Sequence, residues 1–290
     1  TRTLDIARDL GEPDPRAFAE TVQALLTPDL GRRVAAGSGR ADLVIARHIF
    51  EHAHAPRTFF AALAELAKPG GRVVLEAPDC ERCLRDLDYS TLWEEHSLYL
   101  TPETFRSCLE SFGAEVELFE SHPYALEDSL VAVARAGFPV APSTAGTAGL
   151  PPRQAGAVDK AGPPDAGCAF EAAERFARGL EAKRRSLRAW AGRAAAEGKL
   201  ALFGAGHLGA VWLNLLGLGE FFSCVVDDNP HKKGLRMPGS RLPIVGSEAL
   251  EDGGIAWALT AFQPGAEDAV IAKNRAFVER GGRFAAIFPG

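Results

Sequence analysis

No apolar run in the chain approaches the ~18 residues that a membrane span requires. The amino-terminal TRTLDIARDLGEPD has neither the basic start nor the apolar centre of a signal peptide, so the cytoplasm is the expected compartment. Net charge is −6, and no basic block or stripe of Lys/Arg interleaved with aromatics occurs, which argues against nucleic acid as a partner. Cysteine is sparse. Cys80, Cys83, Cys108, Cys168 and Cys224 form an odd, scattered set that suits a reducing compartment rather than a disulfide framework. Cys80 and Cys83 make a lone CxxC with no second ligand pair at zinc spacing. Two thiols on one helix face is the preferred reading, and no metal site is expected.

What remains is a soluble, globular composition of 47% apolar and 24% charged residues over 290 positions, enough for two domains. The boundary falls in 138–166, FPVAPSTAGTAGLPPRQAGAVDKAGPPDA, where Pro, Gly, Ala, Ser and Thr erase any hydrophobic period. Such a stretch is expected to be a partly extended linker between residues 1–137 and 167–290.

The first segment alternates strand and helix signals. Helices are expected at 3–10 and 15–28, a buried parallel strand at Ala41–Ala46, and an amphipathic helix at Thr58–Ala67 stopped by Pro69-Gly70-Gly71. Arg72–Ala77 is the next strand, and a helix follows at Pro102–Phe112. Glu115–Phe119 and Ser129–Ala134 have no helical pattern between them and should pair antiparallel. The second segment opens with a long helix at 168–198. Strands are expected at Lys199–Phe203, Phe222–Val226, Ile255–Ala261 and Arg283–Phe288, with helices at Ala210–Leu216 and Gly265–Arg280. The fold class is α/β: a partial parallel sheet followed by a second, smaller Rossmann-like unit.

Three regions could carry chemistry. The run DYSTLWEEHSLYL places Glu94, Glu95 and His96 side by side between Trp93 and Tyr99. In partly apolar surroundings a histidine pKa can be tuned, and a carboxylate can fix its tautomer, as a general base needs. The alternative is an ordinary helix terminus with a satisfied histidine. Strand ADLVIA runs into Arg47, His48, Glu51 and His52, at the carboxyl strand ends where open α/β sheets bind ligands. Glu76, Pro78 and Asp79 end the neighbouring strand, so His52 and His96 could converge. His54 and His122 read as surface or loop residues. Thirdly, Gly204-x-Gly206-x-x-Gly209 sits between a strand and a helix, with Asp227 at the next strand tip, which suits a nucleotide or phosphate. Alternatively these glycines only let helix and strand pack closely. Lys232, Lys233 and Arg236 could meet an anion or line a solvated turn.

These motifs carry a resemblance. DLVIARHIFEHAHAPRTFFAALAELAKPGGRVVLEAPD resembles the second half of a class I S-adenosylmethionine-dependent methyltransferase. STLWEEHSLYLTPETFRSCLESFG is similar to the sugar C-methyltransferases acting on nucleotide-linked keto-deoxysugars, where a Tyr-x-Glu-His segment occupies the place of Trp93–His96. LFGAGHLGAVWLNLLG and VVDDNPHKKGLRMPGSRLPIVGSEAL resemble that family's carboxy-terminal Rossmann-like domain. The resemblance implies S-adenosylmethionine as methyl donor and a nucleotide-sugar as substrate. His96 would be the base that removes a proton alpha to the sugar ketone, with Glu95 orienting it or binding the sugar. His52 would lie beside substrate and donor, Arg47 and His48 at the donor, and Glu94, Tyr99, Gly204, Gly206 and Asp227 at the substrate.

The chain departs from the family in three places. Trp93 replaces the motif tyrosine and cannot act as a phenolic acid, a role Tyr89 or Tyr99 would have to fill. The family's acidic-Gly-x-Gly donor loop is missing, and so is its cysteine-rich zinc segment. The expectation is a chain that begins within its catalytic domain, through truncation rather than degeneration, with an uncovered sheet flank that a partner or oligomer would hide. The competing functions are a non-catalytic nucleotide-binding module built on the second glycine loop and a nicotinamide-dependent sugar oxidoreductase. Absence of a Tyr-x-x-x-Lys pair weighs against the last.

Overall fold

A computed structural model describes residues 25–136, 167–251 and 254–288. The helix expected at 3–10, most of the one at 15–28 and the whole of the 138–166 linker lie outside the described residues. The chain forms two compact units.

The first unit contains a four-stranded sheet ordered β1-β2-β4-β3. Helix α1 (Pro28–Ser38) starts where the Thr27 hydroxyl accepts the Leu30 N–H at 3.2 Å and Pro28 presets the first turn. Strand β1 (Ala41–Arg47) runs parallel to β2 (Ala67–Asp79), joined by α2 (Pro56–Leu66). Phe59, Phe60 and Leu63 fall on one face of α2 and are buried. Helix α4 (Pro102–Ser111) begins with a reciprocal cap, Thr101 N–H to Thr104 Oγ1 at 2.8 Å and Thr104 N–H to Thr101 Oγ1 at 3.3 Å. Strands β3 (Glu115–His122) and β4 (Asp128–Arg135) form the expected antiparallel pair. Phe50, Phe60, Leu75, Phe105 and Leu130 are the fully buried centre.

Two features differ from expectation. Pro69-Gly70-Gly71 does not merely stop a helix: α2 ends at Leu66 and the triplet lies within β2. There Gly70 N–H donates to Ala136 O, and Ala136 N–H to Gly71 O, so the turn's backbone groups are paired across the sheet. Strand β1 is an edge strand among the described residues, and Leu43 and Ile45 are 50% and 56% exposed instead of buried.

The second unit contains an all-parallel sheet ordered β7-β6-β5-β8-β9. Its strands are β5 (Lys199–Phe203), β6 (Phe222–Val226), β7 (Ile244–Val245), β8 (Ile255–Thr260) and β9 (Arg283–Ala286). The long α5 (Gly167–Glu197) and α6 (His207–Leu215) bring Ala191, Ala194, Trp212 and Leu213 against Leu200, Leu202 and Val225. Cys80–Glu94 and Pro123–Asp128 also group with this unit, so the compact bodies are not contiguous in sequence. Cys80 and Cys83 sit in this unit's core. Cys83 is in the short helix α3 (Glu81–Asp86), and its thiol donates to Cys80 O.

Strand β7 gave no sequence signal because two residues cannot show a period. The single helix expected at 265–280 is two, α7 (Glu267–Lys273) and α8 (Arg275–Glu279). They break at Asn274, whose φ of −108° and ψ of 35° leave the helical region while its side-chain amide donates to Val270 O at 2.8 Å.

Candidate active site

The tip of β1 is shaped by one unusual residue. His48 has φ 47°, a left-handed conformation that costs a non-glycine residue free energy. The turn places its imidazole between two carboxylates, Nε2 3.3 Å from Glu76 and Nδ1 3.7 Å from Glu51. Glu76 also pairs with the Arg47 guanidinium and accepts from the Ser129 hydroxyl at 3.3 Å. The Arg47 bond, against the cost of burial, keeps the Glu76 carboxyl below its ordinary range.

One 3₁₀ turn further, Phe50–His52 points Phe50 into the core against Phe59 and Phe105. Glu51 is carried inward with it and is only 2% exposed. Burial pushes its carboxyl up. The Glu51 carbonyl accepts Ser97 N–H at 2.9 Å, Leu98 N–H at 3.0 Å and the Ser97 hydroxyl at 3.2 Å. These bonds seat the segment after His96 on the tip of β1. His52 and His96 then meet edge to face, ring centroids 4.8 Å apart, and Tyr99 stands 6.1 Å from His96. His52 Nδ1 lies 3.1 Å from Glu95 O. A carbonyl can only accept, so in neutral His52 the proton sits on Nδ1 and Nε2 is left as an acceptor. Donor atoms of Glu51, His52 and His96 lie within 4.8 Å of one another. That spacing suits an acid–base cluster and would also admit a shared cation.

The boundary between the two units falls inside the acidic triplet, between Glu94 and Glu95. Glu95 is exposed, and its main-chain carbonyl is what meets His52. Glu94 belongs to the second unit, with Oε2 3.7 Å from His207 Nε2. His207 was not singled out from sequence. It opens α6, stacks flat on Trp93 (3.5 Å, 8°) and places Nε2 3.1 Å from Leu92 O. The GAGHLG string names that histidine, but only the folded chain reveals its partner. Tyr89 is buried, its hydroxyl donating to Phe176 O at 2.6 Å, which leaves Tyr99 as the phenol beside His96. Gly179 permits that approach, since a Cβ there would lie 2.8 Å from the Tyr89 hydroxyl oxygen.

At the glycine loop, a Cβ on Gly209 would lie 2.7 Å from Leu202 Cδ2 and 2.8 Å from Gly204 O. Gly204 has φ 114°, and its Cβ would come within 3.0 Å of Ala261 O. Both glycines are therefore demanded by close packing, whereas a Cβ on Gly206 meets nothing. Asp227 accepts Ala205 N–H at 2.9 Å, Asn229 N–H at 2.9 Å and Lys232 Nζ at 3.0 Å. Burial opposes the charge, but these bonds outweigh it and lower the Asp227 pKa. Loop amide and carboxylate thus satisfy each other.

The chain is thus a parallel-rich α/β protein with an imidazole–carboxylate cluster at the tip of β1. Residues 12–118 match the methyltransferase domain family, and residues 167–289 match the C-methyltransferase C-terminal domain. The C-methyltransferase NovU of Streptomyces niveus is 30% identical over 99% of this chain and 66% of that protein. Together these matches support a C-methyltransferase of the class I type. It spans 66% of the length of that relative. The N-methyltransferase NodS from Bradyrhizobium japonicum WM9 aligns at 20% identity and TM-score 0.24, over 33% of this chain and 50% of that one. That alignment is too partial to bear on the fold. Neither the oxidoreductase nor the binding-module reading is favoured by these matches. No described helix is long and apolar enough to cross a membrane.

Proposed function

We propose that the protein transfers a methyl group from S-adenosylmethionine to carbon, on a keto-deoxysugar linked to a nucleotide, with His96 as general base. The observation that carries this reading is the meeting of His52 and His96 beside buried Glu51 at the tip of β1. The family matches support the methyl donor and the carbon acceptor. The Glu95-His96 pair and its likeness to the Tyr-x-Glu-His motif support the sugar substrate.

In this reading His96 takes the proton alpha to the ketone, and the C–H electron pair passes into an enolate. The donor supplies an electrophilic methyl: the new C–C bond forms as the S–CH₃ bond breaks, and that electron pair returns to sulfur. The proton stays on His96 until solvent removes it. His52, with its Nδ1 proton committed to Glu95 O in the neutral form, leaves Nε2 as an acceptor for a sugar hydroxyl. Tyr99, 37% exposed, can donate to the developing oxyanion. Arg47 and His48 lie at the strand end assigned to the donor. Arg47 is well exposed and offers a cation to its carboxylate, and Glu76 offers an acceptor to its hydroxyls.

His96→Ala in the full-length protein tests the assignment. Methyl transfer followed by mass spectrometry should fall by about 10²–10⁴-fold, the usual worth of a positioned base. Calorimetric binding of S-adenosylhomocysteine should be unchanged. Turnover at the wild-type rate would remove His96 from the role.

A further inference from the structure

Glu51 is the group that the reading above leaves unused. It is buried, one carboxylate oxygen (Oε2) has no hydrogen-bond partner, and burial raises its pKa. An unsatisfied buried acceptor costs free energy that packing alone would not retain. Three imidazoles surround it. His48 Nδ1 is 3.7 Å from Oε1, and His52 and His96 bring ring nitrogens into the same 4.8 Å grouping. Other charged groups at this tip among the described residues include Glu76, on β2, and Arg47, which is paired to Glu76. Glu51 is also bound to His96 through the main chain, because its carbonyl takes the Ser97 and Leu98 amides immediately after that histidine.

We infer that Glu51 is the positioning residue of the base: its carbonyl seats the segment carrying His96, and its carboxylate is the counter-ion for the imidazolium that forms when His96 accepts the substrate proton. The inference rests on the reading of His96 as base. The exposed Glu95, nearest to His96 in sequence, contributes its main chain to His52. The carboxylate in the dry position is Glu51, where a low local dielectric makes one negative charge most effective on an imidazolium. No proton needs to pass to Glu51; it lowers the cost of holding the proton on His96.

The test uses Glu51→Gln and Glu51→Asp in the full-length protein, with chelator present so that no cation bridges the cluster. Glu51→Gln should reduce kcat by about tenfold or more, the scale of a lost buried counter-ion, with KM for both substrates nearly unchanged. The acid limb of the kcat/KM profile should move to lower pH. The His96 titration, followed by imidazole ¹⁵N NMR and assigned with His96→Ala, should move the same way. Glu51→Asp should restore part of the rate and of the shift. If the His96 midpoint is unmoved in Glu51→Gln, the inference is overturned, whatever happens to the rate. If His96→Ala retains turnover, the base assignment fails separately, and the NMR midpoint in Glu51→Gln still decides whether Glu51 governs that imidazole.

Discussion

Glu51, at the tip of β1 in the first unit, is treated in the opposite way to Asp227 and Asp228, at the tip of β6 in the second. In the first, Glu51 is buried, keeps one unpartnered oxygen and faces imidazoles, and burial pushes its pKa up. In the second, Asp227 and Asp228 are saturated. Asp227 holds Ala205 N–H and Lys232, while Asp228 accepts from Ser247 N–H at 2.9 Å and pairs with Lys273. For Asp228 burial is outweighed by those bonds, and its pKa falls to about 2. One tip is left electrostatically unsatisfied and the other is closed on itself. Polar groups that have spent their hydrogen bonds on the fold are poorly placed to change partners during a reaction. Under the proposed function, chemistry belongs to the first unit, and the second unit's strand-tip carboxylates hold its fold.

The sharpest break would come at the glycine loop. Gly209→Val should destabilise the second unit by about 1–3 kcal/mol, through overpacking against Leu202 and the Gly204 carbonyl, visible as a lower denaturant midpoint. A neutral Gly209→Val would show that the loop is not close-packed. Next comes Asp228→Asn. Because the folded pKa lies below the ordinary 3.8, the wild-type carboxylate stabilises the fold above that pH and loses the contribution as pH falls toward about 2. With the side chain 32% exposed, solvent screening trims the effect to about 1 kcal/mol at neutral pH. Thermal melts at pH 7 and pH 3 should show the variant's deficit shrinking in acid.

Glu51→Gln should do the reverse. A carboxyl whose folded pKa is raised loses stability as pH rises through that value, so the amide should melt no lower than wild type at pH 8. A variant that loses rate while holding stability would set the two tips apart most directly. The smallest effect is expected from Gly206→Ala. Open space for its Cβ predicts a stability change within about 0.5 kcal/mol, the usual range away from packed features. Calorimetry with a nucleotide-sugar then asks whether this loop touches the substrate: weakened binding in a stable Gly206→Ala protein would assign it that role.

Much of the architecture was legible because its signals are local. The apolar runs at Ala41–Ala46 and Lys199–Phe203, and the helix start at Pro102, depend on residue order within a few positions, and each element appears. The antiparallel close of the first sheet was legible for the same reason: no helical pattern separates β3 from β4. Asn274 shows where such reading ends. The backbone turn there, φ −108° and ψ 35°, is a local conformation that no periodicity encodes.

The candidate site divides along the same line. Residue order alone sets out which chemistry is on offer: adjacent acids and a histidine near an aromatic pair, histidines at a strand tip, and a family motif that joins them. Folding chose which groups meet. It split Glu94 from Glu95 between the units, stacked Trp93 on His207, 114 positions away, and turned Tyr89 into a buried anchor. It also selected Glu51, a strand-tip residue assigned no separate role from sequence, as the dry carboxylate among three imidazoles. Burial and through-space distance set pKa values and pairings, and both arise from packing between segments far apart in the chain. Residue order specifies the groups, and packing specifies their neighbours.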